Sequence, residues 1–132
     1  MNLRKEERLC SQKLIDSLFN NGKSRSLSAF PVRAVYMSTP SVDSARVKMM
    51  VSVPKRLFKR AVKRNRIKRQ LREAYRKNKQ LLDNAMQATD QTLLVAFIWL
   101  SDRLYTSSDV EERVKTILQR INEKEDRMRD ER

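Results

Sequence analysis

The first half of the chain places apolar residues first at helical spacing and then at the alternating spacing of strands. Over residues 5–20 they recur at mostly helical intervals, and Asn21-Gly22 supplies a helix stop. A short basic loop is predicted at residues 23–28. Residues 30–37 and 46–53 alternate between apolar and polar positions, so they are predicted as two strands that form an antiparallel hairpin.

The second half repeats a helix, a strand and a helix. Residues 61–79 contain no Gly or Pro and predict a second helix, the longest element of the chain. Residues 80–91 predict a frayed helix end and a loop, and the apolar run at 92–99 is typical of a buried strand. Ser107-Ser108-Asp109 predicts the N-cap of a third helix, whose apolar stripe runs from Val110 to Ile121.

This order predicts an α+β fold, a two-layer sandwich in which three helices pack on a small mixed sheet in the order α-β-β-α-β-α. The strands at 46–53 and 92–99 can pair in parallel across the second helix. A chain of 132 residues fits one domain, and we expect the charged helix end from about residue 122 to fray.

The net charge of the chain indicates the class of partner that it binds. Lys and Arg number 30 against 16 acidic residues, a formal net charge of +14, which indicates a polyanionic partner. Nucleic acid is the first candidate and an anionic membrane surface the second. The longest apolar run, Leu93 to Leu100, is far too short to cross a bilayer, and the charged start is unlike a secretory signal. We therefore expect no membrane partner and a cytoplasmic location.

The missing residue types argue against a protein active site. The chain has no His, and Cys10 is its one cysteine, so the usual general base and the usual metal ligands are absent. The carboxylates show no spacing typical of a magnesium-dependent nuclease. No catalytic residue and no protein metal site are predicted.

Half of the basic residues fall between Arg46 and Lys79, where Glu73 is the one acid. At about 100° per residue, Ile67, Leu71 and Ala74 share a narrow sector of the second helix with Asn78. The opposite side carries Asn65, Arg69, Arg72 and Arg76, while Arg64 and Lys68 flank the apolar stripe on one edge and Arg66 on the other. Stacked like charges destabilise a free helix, so this helix is predicted to meet phosphates of a nucleic acid, RNA or DNA.

The same segment resembles the signature of the bacterial ribonuclease P protein family, R-N-R-x-K-R-x-x-R-E. Seven residues match it position by position: Arg64, Asn65, Arg66, Lys68, Arg69, Arg72 and Glu73. Weaker similarity extends along the chain. The first helix ends in Phe19-Asn-Asn-Gly22-Lys-Ser, similar to the family's F-x-x-G-x-S, and Phe30 begins the first strand as it does in relatives.

The resemblance implies a ribosomal protein S5 domain 2-like fold with a left-handed βαβ crossover, against the usual right-handed rule. It implies two partners, the catalytic RNA of ribonuclease P and precursor tRNA, and no obligate protein partner. It also implies that the Mg²⁺ needed to remove the 5′ leader is held mainly by the RNA subunit and the substrate. The protein would then be the non-catalytic subunit of an endoribonuclease.

Site residues follow from the same match. Phe19 and Phe30 are expected to line a cleft for the leader, where an aromatic ring can stack on an unpaired base, although aromatics at such spacings are more often core. A ribosomal or ribosome-assembly protein is the alternative binding module, and a DNA-binding module and a self-sufficient protein nuclease are the weaker alternatives. The expected RNA contacts are Lys55, Arg56, Arg60, Arg64, Asn65, Arg66, Lys68, Arg69, Arg72 and Arg76.

Overall fold

The computed structural model describes residues 7–20, 22–41, 45–86 and 90–130. Four helices and four strands follow one another along these residues. They are α1 (Gln12–Asn20), β1 (Arg25–Ala29), β2 (Val32–Pro40), β3 (Val47–Ser52), α2 (Ala61–Asn78), α3 (Gln80–Met86), β4 (Gln91–Trp99) and α4 (Ser107–Asp130).

The strands form one mixed sheet in the order β1-β2-β4-β3. β1 and β4 both run antiparallel to β2, and β3 runs parallel to β4. The predicted α+β class is confirmed, and so is the parallel pairing of β3 and β4 across α2. The left-handed crossover stays a prediction from the family resemblance.

The predicted hairpin between residues 30–37 and 46–53 is wrong. β4 lies between the two strands, with Ala96 paired to Val35 on one side and to Met50 on the other. An apolar run that is buried on both faces takes a central position in the sheet, which displaces β3 to the edge. The hairpin partner of β2 is β1, which forms where a basic loop was predicted.

The first helix begins at Gln12, seven residues later than predicted from residue 5. Arg8 forms a parallel bridge with Met49, and the Leu9 amide donates a 2.8 Å hydrogen bond to the Met49 carbonyl, so this stretch extends the edge of β3 instead. Ser11 then caps α1, since its hydroxyl accepts a hydrogen bond from the Leu14 amide. Residues 5 and 6 of the predicted helix, and Asn21 of its predicted stop, lie outside the described residues; Gly22 has the positive φ of 76° expected of a stop.

Two further helix predictions change. Residues 80–86 form the short helix α3 because Leu82 and Met86 are buried against the sheet, although the segment is polar enough to suggest a loop. Residues 87–89 of that predicted loop lie outside the described residues. α4, with 24 residues, is longer than α2, with 18, so the second helix is not the longest element.

The two faces of the sheet carry different amounts of core. The larger cluster joins alternate residues of the strands to α2, α3 and α4, with Trp99, Tyr36 and Phe97 among its largest buried side chains. The smaller cluster packs Leu18 of α1 against Val35 and its neighbours on the opposite face. α2 therefore sits on the larger core, and one side of it remains free to face outward.

Candidate nucleic-acid interface

The buried face of α2 fixes which of its cations point outward. Ile67, Leu71 and Ala74 are buried as predicted, and Tyr75 joins them with its ring 6.1 Å from that of Phe97. Asn78, the fourth predicted member, is half-buried and donates from Nδ2 to the Ala74 carbonyl at 2.9 Å. The apolar stripe thus docks the helix on the sheet and leaves the rest of its circumference at the surface.

Every basic or polar residue predicted to contact RNA lies at least partly at that surface. Arg64, Lys68 and Arg76 are half-buried, and the other seven are exposed. The exposed set is Lys55, Arg56, Arg60, Asn65, Arg66, Arg69 and Arg72. Burying a cation without a partner is energetically costly, so unpaired cations stay at the surface. Their charge there is accessible to an anionic ligand.

One of these cations is already paired within α2. Arg76 forms a bidentate ion pair with Glu73, Nε to Oε2 at 3.0 Å and Nη2 to Oε1 at 2.5 Å. The hydrogen bond from Arg76 lowers the pKa of Glu73, and the same bond raises the pKa of Arg76. Glu73 is the one acid of α2, and Arg76 engages it. The cations that precede Glu73 on the helix therefore have no acidic partner within α2.

Arg64 is directed toward the connector that joins β3 to α2, residues 53–60. Its Nη1 donates to the Phe58 carbonyl at 2.7 Å and to the Lys59 carbonyl at 3.0 Å. The motif placed Arg64 among the RNA contacts, and the structure adds a role within the protein that the motif did not indicate.

The first turn of α2 offers donors and no acid. Arg60 occupies the N-cap in an extended conformation (φ −84°, ψ 126°) without a side-chain cap, and no acidic residue lies in the first turn. The N-terminal amides of a helix carry partial positive charge, which adds to that of the surrounding cations. The start of α2 therefore favours an anion electrostatically.

A groove of about 260 Å³ separates α2 from the start of α4. Gln70 links α2 to the start of α4 at this groove, since its Nε2 donates to the Tyr105 carbonyl at 3.0 Å and to the Ser107 hydroxyl at 3.2 Å. Sequence patterns gave no signal for Gln70, because its partners lie 35 or more residues away. The groove is lined by Gln70, Glu73, Ala74, Lys77, Ser107, Ser108 and Glu111, and Arg66 and Arg69 border an adjoining recess.

Phe19 and Phe30 are exposed, at 43% and 60% of their surface, so neither is a core residue. Phe19 lies near the end of α1. Phe30, predicted as the first residue of the first strand, lies instead in the turn before β2, two residues ahead of the observed start at Val32. Its carbonyl accepts a 3.0 Å hydrogen bond from Nε of Arg113. Their exposure is what stacking on a base requires, and the shared cleft stays a prediction.

One row of residues crosses all four strands on the face that α1 partly covers. Ser52 pairs with Ile98, Ile98 with Arg33, and Arg33 with Ser28. Arg33 and Ser28 are exposed. The sequence did not indicate Arg33 as an RNA contact, because a lone cation in a strand is usually just exposed to solvent. The row places a positive charge on the open part of the sheet, at the same end as the Phe30 turn.

Among the described residues, no three Cys, Asp or Glu side chains come together in a way that could hold a metal ion. None of the helices there is long and apolar enough to cross a membrane.

Comparisons with known proteins agree with one another. Residues 3–122 match the family model described as Ribonuclease P. A ribonuclease P protein component from Porphyromonas gingivalis is 41% identical over 119 residues, covering 90% of this chain and 85% of that protein. A second, from Chlorobium phaeobacteroides, is 41% identical over 83 residues, which are 61% of this chain and 56% of that protein.

Solved structures match the fold at lower identity. The RNase P protein from Thermotoga maritima superposes with a TM-score of 0.65 at 19% identity and covers 86% of this chain and 96% of that one. The Staphylococcus aureus RNase P protein gives a TM-score of 0.62 at 16% identity, with 87% and 94% covered.

Proposed function

This chain belongs to the ribonuclease P protein family, and we propose from that premise that it binds the catalytic RNA of ribonuclease P and the 5′ leader of precursor tRNA. In this role it assists the magnesium-dependent endonucleolytic cut that gives the mature tRNA 5′ end. We also propose that it acts in the cytoplasm, together with the RNAs whose processing it assists.

The observation that carries this proposal is the uncompensated cationic surface of α2. Its apolar stripe is buried in the core, while Arg66, Arg69 and Arg72 are exposed. Glu73 is paired with Arg76. Phosphates can neutralise such a surface with release of counterions, and arginine forks can bind them through two parallel hydrogen bonds. We assign this surface to the catalytic RNA, whose folded helices offer a dense array of phosphates.

The leader is assigned to the opposite face of the sheet. Phe19 and Phe30 are exposed aromatic residues, and Arg33 of β2 supplies an exposed positive charge on the row of residues that crosses the strands. Single-stranded RNA is held by stacking of its bases together with charge along its backbone. Two separate surfaces would let the protein contact both RNAs at once.

Chemistry is assigned to the RNA. In this proposal magnesium is held mainly by the RNA subunit and the substrate, and no group of three Cys, Asp or Glu side chains among the described residues points to a protein site. Magnesium bound by RNA and substrate would supply the activated water. The protein's residues would bind and orient the two RNAs and lower the electrostatic repulsion between them.

The ribosome-assembly alternative shares the charge and the size but not the family match. A cleavage assay separates the candidates. Precursor tRNA is incubated at low magnesium with bacterial ribonuclease P RNA alone, with this protein alone, and with both. We expect cleavage at the mature 5′ end with both and none with the protein alone.

The matched variant in that assay is Lys68→Ala/Arg69→Ala/Arg72→Ala, checked for folding by circular dichroism. Loss of cleavage stimulation in the folded variant supports α2 as the RNA-binding surface. Cleavage by the protein alone would identify a protein nuclease. Failure of the wild-type protein to stimulate, with RNA binding retained, would favour the ribosome-assembly role.

A further inference from the structure

Arg64 differs from the other cations of α2 because its contacts are with the protein's own main chain. Both N–H groups of Nη1 are used, one for the Phe58 carbonyl at 2.7 Å and the other for the Lys59 carbonyl at 3.0 Å. The side chain is half-buried, whereas Arg66, Arg69 and Arg72 are exposed. A guanidinium held in this way has fewer donors left for a phosphate.

The carbonyls that Arg64 holds belong to the end of the connector. Burial of Val53 and Phe58 fixes two points of this segment, and one turn closes between them with a 3.1 Å hydrogen bond from the Leu57 amide to the Pro54 carbonyl. Lys55 and Arg56 are exposed on that turn. Beyond Phe58, the hydrogen bonds from Arg64 tie the last residues of the connector to the helix that follows.

We infer that Arg64 is a positioning residue, which orders the connector and thereby presents Lys55, Arg56 and Lys59 to the RNA beside α2. This inference rests on the proposed RNA-binding function for its consequence, and on the two main-chain hydrogen bonds for its mechanism. Removal of Arg64 then weakens RNA binding through the connector cations and not through loss of its own phosphate contact.

The first test needs no RNA. Arg64→Met keeps the aliphatic stem and removes both hydrogen bonds, so we expect trypsin to cut the free protein between residues 55 and 60 about tenfold faster, since local opening exposes the connector. Arg72→Ala is the matched control and leaves cleavage in the connector unchanged. If Arg64→Met unfolds the chain, Arg64→Lys replaces it, with a smaller increase expected from its single flexible donor group. An unchanged connector cleavage rate in a folded Arg64 variant would overturn the inference.

The second test measures coupling in affinity for ribonuclease P RNA. Arg64→Met and the connector variant Lys55→Ala/Arg56→Ala/Lys59→Ala are made separately and together, and Arg72→Ala is combined with the same connector variant. We expect Arg64→Met to weaken binding about tenfold in the wild-type background and less than about twofold in the connector variant, whereas Arg72→Ala costs the same factor in both. Equal costs for Arg64→Met in both backgrounds would make Arg64 a direct contact and contradict the inference.

The two tests separate the inference from the function on which it rests. If RNA affinity responds to neither Arg72→Ala nor the connector variant, the proposed RNA-binding surface is wrong, while the trypsin result still decides whether Arg64 orders the connector. If affinity responds to both and connector cleavage does not respond to Arg64→Met, the RNA-binding surface stands and the positioning role is wrong.

Discussion

The two long helices α2 and α4 pack on the same face of the sheet but differ in their balance of basic and acidic residues. α2 carries eight Lys and Arg with one acid and begins without a side-chain cap. α4 carries six basic and seven acidic residues and begins with Asp109 in its first turn. The charges of α4 are therefore nearly balanced in number, whereas α2 has a large excess of positive charge and an uncapped start. The contrast supports the assignment of α2, and not α4, to the proposed RNA contact.

The largest expected effect is the loss of stability caused by substitutions in the hydrophobic core, into which both helices pack. Leu71 of α2 and Ile117 of α4 are both fully buried, so Leu71→Ala and Ile117→Ala should each lower the free energy of unfolding by about 2–5 kcal/mol. Urea denaturation measures the change. Val62→Ala on α2, at a position 77% exposed, is the control and should stay within about 0.5 kcal/mol of the wild type. A small loss at Leu71 would mean that α2 is not anchored as described.

The second prediction concerns the N-caps of the two helices: the cap of α4 is removed, and a cap is added to α2. The Thr106 hydroxyl accepts a 3.1 Å hydrogen bond from the Asp109 amide, so Thr106→Ala should cost about 1 kcal/mol in the free energy of unfolding. Arg60→Ser adds a cap where the backbone is already extended and should stabilise the free protein by about 0.5–1 kcal/mol while weakening RNA binding. Thermal unfolding and RNA binding of both variants check this. Arg60→Ser that stabilises the protein and also strengthens RNA binding would contradict the contrast between the helices.

The smallest effect concerns the one acid of α2. Its ion pair with Arg76 lowers the pKa of Glu73, so the pair stabilises the fold at pH values above the ordinary glutamate pKa. That contribution is lost as the pH falls through the lowered pKa. An NMR titration of the Glu73 carboxyl should show a midpoint below the ordinary value, which Arg76→Met returns toward it. An unshifted midpoint in the wild type would show that the pair does not persist in solution.

The face of α2 could be predicted from the sequence because it depends on local spacing. Ile67, Leu71 and Ala74 are spaced by four and three positions, which puts them on one side of the helix, and all three are buried accordingly. Alternation in the first predicted strand likewise puts Phe30, Val32, Ala34 and Tyr36 on one face. The last three are buried together, whereas Phe30 is exposed in the turn before β2. Periodicity reports which side of an element is buried, and it does so without knowledge of the neighbours.

The parallel pairing of β3 and β4 could be predicted from the helix between them, but the neighbours of β2 could not, because alternation does not encode which strand lies beside which. β2 and β3 are close in sequence, yet β4 separates them, and β1 was missed because Arg25–Ala29 is short and polar. The cap of α4 was placed at Ser107-Ser108-Asp109, whereas Thr106 provides it, since several adjacent residues have suitable side chains. The hydrogen bonds of Arg64 depend on the path of the connector, which no local pattern specifies.

The contrast between the helices is tested most directly by removing three cations from each and measuring the affinity for ribonuclease P RNA over a range of salt concentrations. The variants are Lys68→Ala/Arg69→Ala/Arg72→Ala on α2 and Lys115→Ala/Arg120→Ala/Lys124→Ala on α4, which lose equal charge. We expect the α2 variant to lose about 100-fold in affinity and to reduce the slope of log K against log salt concentration by about 2 to 3, with a change of at most a few-fold and little loss of slope for the α4 variant. Equal losses would mean that the RNA responds to net charge alone and that α2 is not the binding surface.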